Sequence, residues 1–421
     1  MAFTFGIPAG VTFTCSRCGD CCRNVNVLLM PGEREMLASL DWTGREDDLV
    51  GAATTTACTD AAQRGKHRLA AREDGACPYL GAHQQCRIHE HFGGDAKPLT
   101  CRLFPFGFRA VGEHVGVDVA FSCRAVAEGL GAPVEESLRE WMAKLAKSGA
   151  GDGRPPLLSS DRKLTAEVAS QIERTLTGFL ADREMSVPQR VRCALAYMSL
   201  ATTGDPATAA AATLRQVMAS ALPARIRRES PDADGMDPTQ RAVFRQWMFL
   251  ALNPAPAGFQ ELPRAKRERE VARREVGAIA FRDHVGAPWM DSKELTTTFA
   301  AIDAVDPGPL RMGPEWIATF LSAKISGWRF LAAGPAELPL IAATRVLFLC
   351  HPMIAWAAKA LAAERGLSVV TESDVRGAVR LIDRSFGQTG TAMLPRPQAK
   401  AFEWTMQETD LIAAAWHEVV G

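Results

Sequence analysis

The sequence has no excess of charge of either sign, because 48 lysines and arginines balance 48 aspartates and glutamates. A balanced chain has no overall attraction for nucleic acid or for an acidic membrane surface. The chain also has little that could cross a bilayer. In its most apolar stretch, Leu338–Ala363, the longest charge-free segment is the thirteen residues Val346–Ala358, which is too short to span a membrane. We therefore expect no nucleic-acid partner and no membrane span, and we predict a buried helix over this stretch.

The N-terminus lacks the pattern of a signal peptide. Residues 1–15 have no basic start, their apolar stretch is interrupted by glycine and proline, and no small-residue cleavage site follows. We therefore expect a cytoplasmic protein. In a reducing compartment, clustered cysteines bind metal or perform redox chemistry more often than they form structural disulfides.

Cysteine is almost missing from the larger part of the chain, since residues 124–421 contain only Cys193 and Cys350. The other nine of the 11 cysteines lie within the first 123 residues. The densest block reads Cys15-x-x-Cys18-Gly19-x-Cys21-Cys22. A two-residue gap lets successive thiolates turn toward one centre, and a glycine permits the backbone conformation that such a tight loop needs.

Thiolates at this spacing need further ligands from elsewhere in the chain. Setting Cys58 aside leaves eight candidates, enough for two four-thiolate sites or for one site with additional thiols. Because neighbouring side chains usually diverge, we expect Cys21 and Cys22 to serve different centres, or one of them to be spare. Zinc and iron–sulfur clusters both accept such ligands, and the spacing alone does not choose between them. The predicted metal ligands are Cys15, Cys18, Cys21, Cys22, Cys77, Cys86, Cys101 and Cys123.

Basic side chains flank these cysteines. We expect the histidines to support the site or to lie on the surface, because thiolates are plentiful. Each of the arginines directly follows a cysteine, and two interpretations stay open: a guanidinium that lowers a thiol pKa, or an ion pair with a carboxylate of the neighbouring hairpin. The flanking residues are His83, His89, His91, Arg23, Arg102 and Arg124.

The pattern of apolar residues predicts an α+β protein. Alternating phenylalanines and valines on either side of Gly112 predict a short β-hairpin over 104–121, whereas 43–72 is polar and without clear periodicity. Beyond the Gly- and Pro-rich segment Ser148–Pro156, helical spacing dominates. We predict a small cysteine-rich, metal-organised N-terminal domain over residues 1–147 and a mainly α-helical body over residues 148–421. Its predicted helices include Leu164–Leu180, Ser186–Ala196, Ala207–Leu222, Thr239–Leu252 and Asp374–Ile382.

Two motifs in the body have simple structural interpretations. The basic run Arg264–Glu275 contains glutamates at helical spacing, which is typical of a solvated helix face rather than of a nucleic-acid contact. Cys350 and His351 stand side by side in an apolar stretch. Because no orienting carboxylate is near them in sequence, we expect a buried thiol rather than a nucleophile.

The four cysteine blocks resemble the CxxCxxCC zinc- or iron-chelating family, also called YkgJ-like, over about residues 10–125. Lys97 stands where the family commonly has arginine. The resemblance implies a thiolate metal site. It favours an iron–sulfur cluster, of the 4Fe–4S type, over zinc. The blocks are Phe13-Thr14-Cys15-x-x-Cys18-Gly19-x-Cys21-Cys22-Arg23, Cys77-Pro78-Tyr79-Leu80, Cys86-x-Ile88-His89 and Pro98-x-x-Cys101-Arg102-x-Phe104-Pro105-Phe106.

The plan of the chain is similar to that of flagellin lysine N-methylases, which begin with a cysteine cluster thought to hold an iron–sulfur centre and continue as a largely helical body. The segment Met185–Arg192 looks like a helix opening found near that point in such proteins. This resemblance implies an S-adenosylmethionine-dependent protein lysine methyltransferase with a protein substrate, although no binding loop for that cofactor can be assigned. The alternative hypothesis is a non-catalytic zinc- or iron–sulfur-binding module for electron transfer or interaction, whose body binds a partner.

Overall fold

A computed structural model describes most of the chain, and its fold is α+β, as predicted. About 58% of the residues are helical, and a few short strands form small sheets. A cysteine-rich N-terminal domain over 14–123 precedes a helical body. The described residues are 3–23, 27–58, 64–148, 156–158, 162–201, 205, 208–228, 235–253, 259, 263–290, 293–328, 339–384 and 411–421.

The strands are few and short, whereas the helices account for most of the body. The strands are β1 (Thr4–Gly6), β2 (Thr12–Phe13), β3 (Thr55–Ala57), β4 (His67–Leu69), β5 (Phe106–Val111), β6 (His114–Val119), β7 (Ala132–Pro133), β8 (Trp289–Met290) and β9 (Lys293–Glu294). The helices are α1 (Glu33–Ala38), α2 (Arg87–Phe92), α3 (Leu99–Leu103), α4 (Arg124–Ala127), α5 (Val134–Ser148), α6 (Ala166–Ala181), α7 (Val187–Ala201), α8 (Ala209–Arg228), α9 (Pro238–Leu252), α10 (Arg264–Asp283), α11 (Phe299–Asp303), α12 (Glu315–Ser326), α13 (Leu340–Glu364), α14 (Glu372–Ile382) and α15 (Leu411–Val420).

The predicted hairpin is present as β5 and β6. The two strands pair antiparallel from Phe106↔Val119 to Val111↔His114, and Gly112 turns the chain with a φ of 57°. A residue with a side chain rarely adopts this left-handed conformation, which is why glycine suits the turn. The sequence pattern missed β1, which adds to β6 in parallel and gives the sheet order β1-β6-β5.

The predicted body helices are present, and side-chain caps explain where several begin. At the start of α7, the side chain of Gln189 accepts a hydrogen bond from the backbone N–H of Ser186 at 2.9 Å. Helix α9 begins with a complete capping box between Asp237 and Gln240. Such caps satisfy backbone N–H groups that the first helical turn leaves without partners.

The predicted buried helix is α13, whose residues are almost all enclosed by the rest of the protein. By length and composition it is the one helix in the described part of the chain that could cross a membrane, with a mean hydropathy of 1.6 over its most apolar window. Of that window, 89% is buried inside the protein. Its neighbours include α14, α15 and α7, and this enclosure is typical of a core helix.

The apolar side chains form two separate cores. The smaller one, called here the N-terminal core, has ten buried members: Leu29, Leu37, Trp42, Leu49, Leu69, Ala76, Cys77, Tyr79, Leu80 and Ile88. The larger one joins the body helices to Val111, Val117 and Val119 of the hairpin. The hairpin therefore packs with the body, although the sequence groups it with the cysteines. The predicted boundary between the two domains, at residues 147 and 148, stays a prediction.

The strands β3 and β4 lie within 43–72, where the sequence shows no clear periodicity. The two strands pair antiparallel, and Leu69 at the end of β4 is only 2% exposed in the N-terminal core. Leu49 of this stretch and Trp42, directly before it, are also buried. The segment therefore contributes Leu49 and Leu69 to a small core, and its mixed polar composition obscures that role.

Two glycines allow the hairpin to approach the end of α12 closely. A Cβ at Gly327 would lie 2.6 Å from the Cα of Asp118, and a Cβ at Gly116 would lie 2.8 Å from the carbonyl carbon of Gly327. Backbone atoms of β6 and of the segment after α12 are therefore in direct contact. Glycine is required at such a contact because any side chain would collide with backbone atoms, which cannot rotate away.

Replacing Gly327 by alanine should lower the free energy of unfolding by about 1–3 kcal/mol, because overpacking against backbone forces the hairpin and α12 apart. The matched control is Gly178→Ala in α6, where an added Cβ meets nothing within 4 Å. That control should stabilise the protein by about 0.5–1 kcal/mol through helix propensity. Urea denaturation measures both, and equal effects of the two variants would contradict the close contact between the hairpin and α12.

Buried charged groups also join the hairpin to the body. The side chain of Lys324 in α12 is fully buried, and its Nζ lies 3.0 Å from Asp118 Oδ1 in β6 and 2.7 Å from Asp383 Oδ1 after α14. Lys324 also donates to the carbonyl oxygen of Val119 at 2.8 Å. Asp383 in turn accepts from the backbone N–H of Ser122 at 2.8 Å. One lysine thus connects three elements that are far apart in sequence.

A second buried contact lies at the other end of β6. The ring of His114 stacks on Trp328 with centroids 4.2 Å apart, and Trp328 Nε1 donates to Glu173 of α6 at 2.9 Å. Burial raises the pKa of Glu173 and lowers the pKa of His114. Both ends of β6 are therefore attached to body helices.

Candidate metal centre

The first cysteine block turns tightly, as its spacing predicts. Gly19 has a φ of 71°, and the next three residues form a single 3₁₀ turn, Asp20–Cys22. The backbone N–H of Cys22 donates to the carbonyl oxygen of Gly19 at 2.9 Å. Cys15 and Cys21 are exposed and Cys18 is partly exposed. The prediction that Gly19 supplies an unusual backbone conformation is confirmed.

The first block packs against the loop that carries the next two candidates. The backbone N–H of Cys77 donates to the carbonyl oxygen of Cys22 at 2.7 Å. A Cβ at Gly19 would lie 3.0 Å from the carbonyl oxygen of Gln84, so this glycine also permits a close approach. Leu80 and Cys86 form an isolated antiparallel bridge that closes the loop between them. Contacts between backbones therefore bring residues 19–22, 77 and 84–86 together.

Cys86, Cys101 and Cys123 lie at the ends of short helices or within them. Cys86 is the N-cap of α2, Cys101 lies inside α3, and Cys123 is the N-cap of α4. Cys101 and Cys123 also flank the β5–β6 hairpin on its two sides. Two of the candidate ligands are therefore positioned by the element that packs on the body.

Cys21 and Cys22 point to the same side, so the expected divergence of their side chains is not observed. Their Sγ atoms are 4.0 Å apart. Neighbouring Cα atoms are only about 3.8 Å apart, and in the 3₁₀ turn the side-chain rotamers carry both sulfurs toward each other. Four thiolates around a tetrahedral zinc, each at about 2.3 Å, would have sulfur–sulfur edges of about 3.8 Å. The observed separation fits one edge of such a site.

The hydrogen bond between these two thiols separates their acidities. It lowers the pKa of Cys21 to about 7 and, together with burial, raises the pKa of Cys22 above its usual range. The charges of Cys77 and Cys86 also raise the pKa of Cys22. Of these two thiols, Cys21 therefore ionises first, near neutral pH. The thiolate is the form of cysteine that binds metal.

The other buried thiols resist ionisation unless a cation compensates them. Burial raises the pKa of Cys77 to about 11, that of Cys101 to about 12 and that of Cys123 to about 11. The charges of Cys77, Cys86 and Cys21 act on Cys101, while those of Cys21 and Cys18 act on Cys123. Such a set of thiols fits a bound cation, whose charge would deprotonate its ligands.

These interactions connect seven of the eight predicted ligands. Cys21, Cys22, Cys77, Cys86 and Cys101 form one electrostatic neighbourhood, Cys123 is joined to it through Cys21, and Cys18 is joined through Cys123. Within the described residues, no three His, Cys, Asp or Glu side chains already surround a single point closely enough to hold a metal ion. The structure therefore brings these thiols to one region, and their ligation stays a prediction.

The three cysteines outside the predicted ligand set lie elsewhere, and all eleven cysteines are free thiols. Cys58 is 5% exposed beside the β3–β4 pair, where its backbone N–H donates to the carbonyl oxygen of Lys66. Cys193 is packed against Met185 in the body. Cys350 is buried as predicted, and burial raises its thiol pKa above the usual range. The ring of His351 stacks on Trp416 at 3.7 Å rather than on the neighbouring thiol.

The arginines that follow cysteines have partners other than the thiols. Arg102 contacts Asp95 at 3.3 Å, and Arg124 contacts Glu128 at 2.7 Å. Arg23 donates to the side chain of Gln84. Neither acidic partner belongs to the hairpin.

Two other cations lower the pKa values of the thiols. Lys97 acts on Cys21 and Cys101, and Arg72 acts on Cys77. Sequence reasoning missed both as neighbours of the thiols. Lys97 directly precedes the proline of the fourth block, and this position is the only feature of the sequence that could have indicated that Lys97 lies near the thiols. Arg72 precedes Cys77 by five residues and reaches the site because β4 leads into the loop before Cys77.

The histidines near the cysteines are expected to support the site or to lie on the surface, and the contact of His91 agrees with this expectation. His91 Nε2 lies 3.2 Å from Glu46 Oε1. This contact engages one ring nitrogen with a carboxylate, and the expectation that His91 is not a ligand stays a prediction.

The comparison with protein families identifies the cysteine-rich region. The family model CxxCxxCC, "Putative zinc- or iron-chelating domain", matches residues 14–123. Residues 14–123 are called here the CxxCxxCC domain, after the family model that they match. The CxxCxxCC domain contains all eight predicted ligands and the hairpin, and the match leaves 124–421 outside it. No curated protein and no solved structure matches the chain significantly. The similarity to flagellin lysine N-methylases stays a prediction.

Proposed function

We propose that the CxxCxxCC domain binds a metal ion through thiolates and that this ion fastens the domain's loops to one another and to the hairpin. The observation that carries the proposal is the 4.0 Å separation of the Cys21 and Cys22 sulfurs, with Cys77 and Cys86 close enough to act on Cys22. Two thiolates at this distance are suited to one tetrahedral ion. Thiolates on two different irons of a cluster lie farther apart, because each extends outward from its own iron.

The small size of the N-terminal core supports a structural role for the ion. Among the described residues, ten buried hydrophobic residues make up this core, and the elements around it are strands of three residues and helices of five or six. A domain with so small a core usually needs a metal or disulfides for stability. Since all its cysteines are free thiols, a metal is the available means of cross-linking them.

The iron–sulfur cluster is the second candidate, and the number of thiols favours it. Seven interacting thiols exceed the four that a single zinc needs. Cys123 interacts with Cys21 and with Cys18, and neither Cys123 nor Cys18 belongs to the group around Cys22. A cluster, or a second ion, would use these additional ligands. Cys21 would then belong to a larger centre rather than to one isolated ion.

Anaerobic purification of the whole chain, followed by analysis of metal and acid-labile sulfide, distinguishes these candidates. We expect about one zinc or iron per chain without labile sulfide. A brown protein with labile sulfide and broad absorption near roughly 400 nm would replace the single ion by an iron–sulfur cluster. A protein that binds neither metal, even after reconstitution, would contradict both.

The methyltransferase hypothesis rests on the plan of the chain, in which a cysteine-rich domain precedes a helical body. In this alternative the metal would support a methyl-transfer site in the body. Calorimetric binding of S-adenosylmethionine to the metal-loaded chain would favour the enzyme, whereas its absence would favour the non-catalytic module.

A further inference from the structure

The helical body contains a cavity of about 160 Å³ that is separate from the CxxCxxCC domain. Its walls come from α9, α10, α11, α13 and α15, and none of its lining residues lies within 14–123. A cavity of roughly 150 Å³ can hold one benzene molecule. The volume therefore suits a ligand whose body is about the size of one six-membered ring.

One side of the cavity is aromatic. Phe281 and Phe299 meet edge to face with centroids 5.2 Å apart, and Trp356 lies 5.5 Å from Phe281 and 6.0 Å from Phe299. Phe281 and Phe299 are at most 2% exposed. Rings in this arrangement present apolar faces and edges that accommodate another ring or a compact aliphatic group.

Two cations line the same cavity, namely Arg245 of α9 and Lys359 of α13. Lys359 is 7% exposed and donates to the carbonyl oxygens of Asp303 and Val419, both at 3.2 Å. An ammonium group has three donors, so one remains for a ligand. Among the described residues, no carboxylate oxygen lies within ion-pair distance of either cation. A buried cation such as Lys359, without an anion at ion-pair distance, is costly and favours an anionic ligand. Arg245 is half-buried and donates to the carbonyl oxygen of Arg282 at 3.5 Å, and it adds a second positive charge to the wall.

The carboxylates nearby already have other partners. Glu418 binds Arg241 through two hydrogen bonds of 2.7 and 2.9 Å, and Asp303 lies 2.7 Å from His284 Nε2. The charged groups that act on Arg245 and Lys359 are the cations Arg241 and Arg311 and the carboxylates Glu418, Asp303 and Asp306. Four cations, including Arg245 and Lys359 themselves, therefore face three carboxylates, which leaves one positive charge at the cavity. A ligand with a single negative charge would balance it.

His284 adds a polar group to the cavity wall. It ends α10 in the left-handed conformation, with a φ of 57°, where glycine is the usual residue. Its ring packs on Phe299 at 4.5 Å, and its buried Nδ1 has no hydrogen-bond partner among the described residues. This nitrogen adds a polar atom to a wall that is otherwise aromatic on this side.

We propose that this cavity binds a small monocarboxylate, with the carboxylate between Arg245 and Lys359 and a ring-sized apolar body against Phe281, Phe299 and Trp356. This site is independent of the metal centre and would give the body a ligand of its own. The closest simple probe is benzoate, because it combines one six-membered ring with one carboxylate.

An NMR titration of the whole metal-loaded chain with benzoate tests the proposal. We expect saturable binding with a Kd of about 1 mM or tighter, as is reasonable for so few ligand atoms. Benzamide has the same shape without the charge and should bind at least about tenfold more weakly, because it loses the charge-assisted hydrogen bonds. Equal binding of the two probes, or no saturable binding of benzoate, would overturn the proposal.

The variant Arg245→Gln should weaken benzoate binding by about tenfold or more while leaving benzamide binding unchanged. The control is Arg264→Gln, which removes one positive charge from an α10 side chain that is 85% exposed and remote from the cavity lining. Circular dichroism verifies that both variants are folded. If Arg245→Gln does not fold, the comparison of benzoate with benzamide on the unaltered chain still decides whether the cavity prefers a carboxylate. Benzoate binding that Arg245→Gln leaves intact would overturn the assignment of the carboxylate position.

Discussion

Replacing Cys77 by serine should release most of the bound metal and reduce the stability of the N-terminal core by several kcal/mol. Cys77 is 5% exposed, its backbone donates to Cys22, and its charge acts on both Cys22 and Cys101. Serine nearly preserves the shape of the side chain but is not a thiolate. A structural zinc site contributes roughly 10–16 kcal/mol of binding free energy to folding, so the loss of one ligand affects the whole domain.

The matched control for Cys77→Ser is Cys58→Ser. Cys58 is equally buried, at 5% exposure, but it lies beside the β3–β4 pair and outside the group of interacting thiols. Both variants make the same chemical change at equally buried positions, and they differ in the predicted ligand role. Metal content per chain and hydrogen exchange of residues 67–103 measure the result. If Cys58→Ser released metal as fully as Cys77→Ser, the proposed ligand set would be wrong.

The variant Lys324→Met should lower the free energy of unfolding by about 3–5 kcal/mol. Methionine has a similar volume, so the effect comes from charge rather than from a cavity. Without the ammonium group, Asp383, which is 0% exposed, and the largely buried Asp118 would face each other without this compensating cation. Val119 would also lose the donor to its carbonyl oxygen.

Urea denaturation compares Lys324→Met with Lys144→Met. Lys144 forms an exposed i,i+4 pair with Glu140, in which the two side chains are 52% and 76% exposed. Such pairs contribute about 0.5 kcal/mol or less, so the control should unfold almost like the unaltered protein. Hydrogen exchange of β6 should increase only in Lys324→Met. A destabilisation of less than about 1 kcal/mol would contradict the role of Lys324 as the connection between hairpin and body.

Local patterns predicted the local elements of this fold. The alternating residues around Gly112 predicted the hairpin, and four-residue spacing predicted α6, because both patterns depend only on which face of an element is buried. The cysteine spacing likewise predicted the turn at Gly19. In each instance the pattern lies within a short continuous segment of the sequence.

Contacts between distant segments could not be predicted in this way. Asp118, Lys324 and Asp383 are brought together only by the packing of three elements, and each alone is typical of a surface residue. The parallel pairing of β1 with β6 is equally non-local. The separation of the Cys21 and Cys22 sulfurs depends on side-chain rotamers in a 3₁₀ turn, which a general rule about neighbouring residues does not capture.

The position of β6 has a thermodynamic consequence for the protein as a whole. Its residues His114, Gly116 and Asp118 pack on the body, while Cys123 follows it by only four residues and Cys101 precedes its partner strand by five. Coupling free energies between two sites are reciprocal. If metal binding at Cys101 and Cys123 is coupled to the contact of the hairpin with α12, a ligand or partner that shifts α12 or α14 would change the affinity for the metal. The metal would then change the affinity for that ligand or partner by the same factor.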